Sequence, residues 1–350
     1  MRLPWLSLSV LALGACGDSA GGTTHTSPPL APLDGVDGST SGPGAGDDAG
    51  GSTGVDSGWP DAAPTPPVSC TGKTGGKGDL TLSLTSGGLA RTSLLHVPPS
   101  YDPTQGTMVV VDYHGFSSDA AQEVLLTNMN PVADAKGFVV VTPYGLGQGW
   151  NAGDCCTELQ PPSVDDVQFT KDLLALVSSQ YCVDPRRVYA TGMSNGGFLS
   201  HRLACAMADT FAAVAPVAGV LGIPPEQCTP SRPVPVLDFH GTGDPVVPYD
   251  GGPAAKLLPP ITFRSVPDTM AFWRTADACL GAPVVTYQQG VVTCTRWSDC
   301  SGGVDVELCT VDGGGHQWPG SSIVVPGLGN GTTDVDATAR IVDFFLAHPM

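Results

Sequence analysis

Gly192-Met193-Ser194-Asn195-Gly196 fits the pattern G-x-S-x-G, in which a serine at a sharp strand-to-helix turn presents its hydroxyl as a nucleophile. With 46 glycines in 350 residues the pattern alone is weak. Two other matches occur, Gly17-Asp18-Ser19-Ala20-Gly21 and Gly50-Gly51-Ser52-Thr53-Gly54. Neither has a strand pattern before it or a helix pattern after it, so nothing would hold those serines in a strained turn. Ser194 follows the strand pattern Arg187–Thr191 and opens a helix pattern, Asn195–Ala206. Glycines at 192, 196 and 197 remove side chains where strand and helix must nearly touch. The amide of Asn195, at that helix N-terminus, would face developing negative charge.

A serine nucleophile needs a base, and seven histidines compete. His25 falls in a Gly/Ser-rich stretch, His96 and His114 precede the serine, His201 lies on the helix after it, and His348 is two residues from the end. On a strand–turn–helix serine framework the chain order is Ser, then Asp or Glu, then His. That leaves His240 and His316. His240 ends the run 234–239 ahead of the best acid and reads as a hydrogen-bonded support. His316 lies in Gly313-Gly314-Gly315-His316-Gln317-Trp318-Pro319-Gly320, where three glycines free the backbone to carry an imidazole toward another strand's serine. Asp244, in Gly241-Thr242-Gly243-Asp244-Pro245, follows the strand next but one after the nucleophile. Its expected task is to fix the tautomer of His316 so that the other ring nitrogen accepts the Ser194 proton. Asp238 and Asp250 are the alternatives.

The second anion-stabilising amide is expected after the run Thr107–Tyr113, which ends in His114-Gly115-Phe116. The backbone N–H groups of Phe116 and Asn195 are therefore assigned to an oxyanion hole. Trp150 and Trp318 stand in loops expected near the site, either as an aromatic wall for an acyl group or sugar or as loop packing.

The elements that must position these residues alternate. Strands are expected at 80–84, 92–97, 107–113, 138–142, 187–191, 212–215, 234–239 and 304–311. Helices are expected near 130–136, from a capping box of Ser163 and Asp166 to about 180, at 195–206 and at 335–346. Uninterrupted apolar strands alternating with helices predict an α/β fold with a mostly parallel sheet covered on both faces, as one catalytic domain over 70–350.

Several motifs recur together in one family: His114-Gly115-Phe116, Gly149-Trp150-Asn151-Ala152-Gly153 before Cys155-Cys156, Val164-Asp165-Asp166-Val167, the run from Asp184 to Gly197 and the run from Gly313 to Gly320. Over residues 70–350 the chain resembles the secreted polyhydroxybutyrate depolymerase and feruloyl/acetylxylan esterase family. The resemblance implies an α/β-hydrolase fold and a serine esterase with the triad Ser194, Asp244 and His316, without metal or other cofactor. It implies an ester substrate, small or oligomeric, and does not fix which. A peptidase on the same fold is the second reading, for which the sequence offers no propeller domain. A non-catalytic ligand-binding lipoprotein is the third.

Arg2 precedes an apolar run, 3–13, that is too short to span a bilayer and reads as a signal peptide. It ends in Leu13-Gly14-Ala15-Cys16, which resembles a bacterial lipobox with Cys16 as the lipidated residue, so residues 1–16 are assigned to the signal. The chance-cysteine alternative is an ordinary cleaved signal. Residues 17–69 are mostly Gly, Ser, Thr, Pro, Ala and Asp, too apolar-poor to fold, and read as a tether with an end-to-end distance of roughly 40 Å. The protein is thus expected to be exported and either lipid-anchored to a bacterial membrane through Cys16 or secreted. A net charge of −18 excludes a basic surface for nucleic acid or anionic lipid. Of 11 cysteines, ten remain for disulfides in an oxidising compartment. Cys205–Cys228, Cys279–Cys300 and Cys294–Cys309 are the expected pairs, with zinc at Cys294, Cys300 and Cys309 as the rival reading. Cys70, Cys155, Cys156 and Cys182 stay unassigned, and an adjacent Cys155–Cys156 bond would be strained.

Overall fold

The computed structural model describes residues 68, 70–153, 155, 164–253 and 261–350. The expected signal, Cys16 and nearly all of the tether lie outside the described residues.

The chain opens with a hairpin of β1 (Gly78–Ser86) and β2 (Leu89–Val97), followed by β3 (Thr107–Tyr113). Two short helices, α1 (Ala120–Thr127) and α2 (Met129–Lys136), lead to β4 (Val139–Pro143). Next come α3 (Asp166–Gln180), β5 (Val183–Met193), α4 (Asn195–Ala206), β6 (Ala213–Val217) and β7 (Val236–Gly241). A small β8–β9 pair (Gly252–Pro253 and Thr262–Phe263) precedes α5 (Val266–Ala276). The chain closes with β10 (Val284–Gln289), β11 (Val292–Trp297), β12 (Val306–Val311) and α6 (Ala337–Ala347).

Ten strands form one sheet in the order β1-β2-β4-β3-β5-β6-β7-β12-β11-β10. The six inner strands from β4 to β12 are parallel, and an antiparallel hairpin closes each edge. Every residue of β3, β4, β6 and β7 is buried, because helices cover both faces. Val109 and Val111 pack with Phe169, Phe198 and Trp273 from α3, α4 and α5. Met108 and Val110 point the other way, to Met129, Ile341 and Phe345 from α2 and α6. This alternation is the period-2 geometry of a strand between two apolar layers.

The expected elements occur with boundaries shifted by a few residues, and helices α1 and α5 and strands β8 to β11 come in addition to them. The cap of α3 is a correction: Asp165, not Ser163, accepts from Gln168 N, and Ser163 lies outside the described residues. Helix α1 is capped by Asp119, and α5 by Ser265 with a proline in its first turn. Both signals are ordinary caps on short helices. The three expected disulfides form, together with Cys70–Cys182. Because Cys294 and Cys309 are bonded to each other and Cys300 to Cys279, no thiolate set remains there for zinc. Cys155 is also disulfide-bonded, with its partner outside the described residues.

Candidate active site

The parallel register lines up four strand ends. Met193 pairs with Val217, Val217 with Phe239, and Phe239 with Cys309, so β5, β6, β7 and β12 release their following loops along one edge. Ser194, Asp244 and His316 all lie on loops at these carboxyl ends, where open parallel sheets present ligand sites.

Ser194 sits between β5 and α4 with φ 56° and ψ −117°. A non-glycine residue at positive φ is strained, by about 1–3 kcal/mol, and persists only when its surroundings enforce it. Here the enforcement is steric and hydrogen-bonded. Ser194 N donates to Val217 O at 2.8 Å. A Cβ on Gly196 would stand 1.9 Å from Tyr113 O, and one on Gly192 2.3 Å from the same atom. The helix start can therefore press against β3 only because both positions are glycine.

The acid and base loops are stitched together by main chain. Gly243 N donates to Gly314 O at 2.9 Å, Thr242 N to Val311 O at 2.9 Å, and Gly313 N to Thr242 Oγ1 at 2.7 Å. A Cβ on Gly241 would lie 2.2 Å from Gly314 O, so this approach too requires glycine. It brings Asp244 Oδ2 within 2.7 Å of His316 Nδ1. The other carboxylate oxygen, Oδ1, accepts from Val246 N at 2.7 Å and Val247 N at 2.8 Å. Burial would push the Asp244 carboxyl up. The adjacent His316, its hydrogen bond, His240 and the Val247 amide outweigh that and hold it below the ordinary aspartate value. An ionised Asp244 can only accept, so the proton sits on His316 Nδ1 and Nε2 is left as the basic nitrogen. The hydrogen bonds of the described residues do not include one from Ser194 Oγ to His316; such contacts tighten when substrate enters.

His240 donates from Nε2 to Val247 O at 2.9 Å and stands 3.5 Å from Asp244 Oδ2, which makes it a support of the acid loop. Asp238 is buried in β7 on the far side of this loop, 3.2 Å from His201 Nε2, while Trp273 Nε1 donates to His201 Nδ1 at 3.0 Å. This second His–Asp pair is fully buried and lies away from the strand ends.

The expected oxyanion segment, 114–116, lies beside the nucleophile: a Cβ on Gly115 would be 3.4 Å from Ser194 Cβ. The amides of Phe116 and Asn195 donate no hydrogen bond to the described residues, as anion-binding N–H groups must not. His114, set aside in the sequence as a rival base, is buried and orders this segment. Its Nε2 accepts from Gly145 N at 2.9 Å and its Nδ1 donates to Gly115 O at 2.7 Å. Burial pushes its pKa down, in keeping with a neutral ring.

Trp150 and Trp318 form no open aromatic wall; they are 0% and 2% exposed. Trp150 packs edge-on to Tyr113 and stacks on Phe169. Trp318 donates from Nε1 to Thr338 Oγ1 at 3.0 Å, pinning the His316 loop to α6. Both indoles are loop anchors, because each ring is enclosed by core residues.

Sequence reasoning also missed an anchoring chain behind the site. Arg91 Nη2 and Asp166 Oδ1 form a buried ion pair at 2.7 Å. Asp166 Oδ2 accepts from Asn151 N at 2.7 Å, and Arg202 Nη1 donates to Asn151 Oδ1 at 2.7 Å. The Gly-Trp-Asn-Ala-Gly and Val-Asp-Asp-Val motifs were the available signal, but their partner, Arg91, lies in a distant strand.

Comparison with known proteins agrees with this fold. Feruloyl esterase B of Piromyces equi is 35% identical over 234 residues, 65% of this chain and 42% of that protein. A protein described as an esterase, NocK of Nocardia uniformis subsp. tsuyamanensis, is 33% identical over 275 residues, 74% of this chain and 80% of its own length. The chain thus spans less than half of the feruloyl esterase. An acetyl xylan esterase from Aspergillus awamori shares the fold, with TM-score 0.55 at 14% identity over 76% of this chain and 98% of that one. The model of the prolyl oligopeptidase family matches residues 128–349, a stretch that contains Ser194, Asp244 and His316, and on that match the chain, an α/β-hydrolase in fold, belongs to the prolyl oligopeptidase family.

Proposed function

We propose that the protein is an exported serine esterase that cleaves carboxylic esters through an acyl-enzyme. Ser194 Oγ attacks the ester carbonyl carbon while His316 Nε2 takes its proton. The carbonyl oxygen gains negative charge and is held by the N–H groups of Phe116 and Asn195. Collapse of the tetrahedral adduct breaks the C–O bond to the alcohol, which leaves with the proton from His316. Water then repeats the sequence on the acyl-Ser194, releasing the acid and restoring the serine. Asp244 stays ionised throughout and stabilises the imidazolium. The observation that carries this reading is the 2.7 Å contact between Asp244 and His316, on loops at the same sheet edge as a serine at positive φ.

The substrate is a feruloyl or acetyl ester of plant polysaccharide, a choice supported by the names of the feruloyl and acetylxylan esterase relatives, with a hydroxyalkanoate oligomer as the alternative. Hydrolysis of methyl ferulate, acetylated xylan, 3-hydroxybutyrate oligomers and p-nitrophenyl acetate by wild type and Ser194→Ala tests it. Loss of all activity in the variant is expected, and equal rates in the two proteins would end the proposal. The family match also favours a peptidase reading, so a fluorogenic prolyl peptide belongs in the panel; cleavage faster than any ester would replace the esterase. Residues 1–16 act as a signal with Cys16 lipidated and 17–69 as the tether. Intact mass of the membrane-extracted protein would show the diacylglycerol addition, and a free Cys16 thiol would exclude it.

A further inference from the structure

The esterase reading, on which this inference rests, needs two N–H groups on separate segments at a fixed spacing: Phe116 beyond β3 and Asn195 at the start of α4. We propose that Trp150, acting with His114, is a positioning residue that sets this spacing. All three polar groups of Trp150 end on the two donor segments. Its indole Nε1–H donates to His114 O at 2.8 Å, its backbone N–H donates to Asn195 Oδ1 at 2.6 Å, and its C=O accepts from Asn195 Nδ2 at 3.1 Å. One residue thereby ties the strand end two residues before Phe116 to Asn195 itself.

His114 supplies the direction. Gly115 O accepts from His114 Nδ1 at 2.7 Å and from Ser118 N at 3.2 Å, which fixes the Gly115–Phe116 peptide plane. In a planar trans peptide the N–H points opposite the C=O, so the Phe116 N–H faces away from the His114 ring. Trp150 is held rigidly enough to serve as the reference point. Its ring is 0% exposed, 5.2 Å from that of Tyr113 and 4.8 Å from that of His114. The next residue, Asn151, is bonded to Asp166 and Arg202. Sequence reading left Trp150 between a substrate wall and loop packing; the bonds place it against the two segments assigned to hold the oxyanion.

The test is Trp150→Phe, together with replacement of Trp150 by 3-benzothienylalanine, an isostere that keeps the bicyclic shape and lacks only the Nε1–H. Substrates are p-nitrophenyl acetate and its thiono counterpart, in which sulfur, a poor hydrogen-bond acceptor, replaces the carbonyl oxygen. Burst titration counts competent sites, so misfolded protein does not enter kcat. Removing one oxyanion donor costs about 10²–10³-fold in rate and a misplacement of about 1 Å about 10²-fold. A displaced donor pair is expected to lower kcat by about 10- to 100-fold with KM little changed, and to lower the oxo-over-thiono rate ratio by a similar factor. Packing alone would leave that ratio at its wild-type value. An unchanged ratio in the isostere variant, or kcat within about twofold of wild type, overturns the proposal even if Trp150→Phe fails to fold. Ser194→Ala run in parallel separates the two levels. An inactive Ser194→Ala beside an unaffected isostere refutes only the positioning role, whereas an active Ser194→Ala refutes the esterase reading itself.

Discussion

Asp244→Asn isolates the tautomer argument, because the surrounding amides dictate how an asparagine must sit. In the native protein Oδ1 accepts from the N–H groups of Val246 and Val247, and Oδ2 accepts from His316 Nδ1. An asparagine that keeps its oxygen on the two amides turns its NH2 toward His316 Nδ1. That nitrogen must then accept, so the ring proton moves to Nε2 and the base faces Ser194 with its proton already in place. The opposite rotamer would restore the tautomer but would aim the NH2 at two N–H donors, that of Val247 buried and that of Val246 half-buried. Each buried group left unpaired costs about 1–3 kcal/mol, so the productive rotamer lies about 2–6 kcal/mol higher. At about 1.4 kcal/mol per decade it is populated at about one part in 30 to one part in 10⁴. The expected kcat loss covers that range, and the same substitution in a serine-protease triad lowers kcat by about 10⁴. The assay is p-nitrophenyl acetate hydrolysis near pH 7.5, with burst titration to count sites and thermal unfolding to check integrity. Wild-type kcat in a folded Asp244→Asn protein would refute the assignment of Asp244. Stability responds separately. The depressed Asp244 pKa contributes stability that is present above the unfolded aspartate value and is lost as pH falls through the lower folded value. The variant should therefore lose less stability than wild type on acidification below about pH 4.

Two further perturbations test the scaffold. Gly196→Ala would put a methyl group 1.9 Å from Tyr113 O, forcing β3 and α4 apart. A shift of about 1 Å at the nucleophile is expected to lower kcat by about 10²-fold or to prevent folding. The control, Gly76→Ala, meets only Leu80 Cδ1 at 3.8 Å and should behave as wild type in both activity and near-UV circular dichroism. Asp112 on β3 is buried, accepts from Thr127 Oγ1 at 2.8 Å, and is pushed by burial to about 7. Its neighbour Glu123 is raised by burial and by Asp112. A carboxyl whose folded pKa is raised binds more protons folded than unfolded between the two values. Stability therefore falls as pH rises from about 4 toward 7. Asp112→Asn keeps the acceptor and removes the ionisation, so it should gain on wild type between pH 5 and pH 8 by about 1 kcal/mol or more, or about 2–4 °C in Tm. Parallel Tm profiles for the two proteins would refute this.

What the sequence determined by itself is what local pattern can carry. Uniform apolar runs, a glycine-framed serine and a glycine-rich histidine loop are each complete within about ten residues, and the order Ser, Asp, His ranked the candidates before any contact was known. Cys205–Cys228, only 23 residues apart, was within reach of the same reasoning. Whatever depends on which neighbour lies across the sheet was decided by the tertiary structure. Cys70 finds Cys182 across 112 residues. Asp238 and Asp244 stand six positions apart on and after one strand, yet one faces His201 inside the core and the other His316 at the edge. Trp150 looks the same in sequence whether it lines a pocket or fills the core; the difference is the His114 carbonyl and the Asn195 side chain that meet it. Side-chain spacing tells which residues share a face of one element, whereas hydrogen-bond partners across elements follow from strand order, and strand order is a property of the folded sheet.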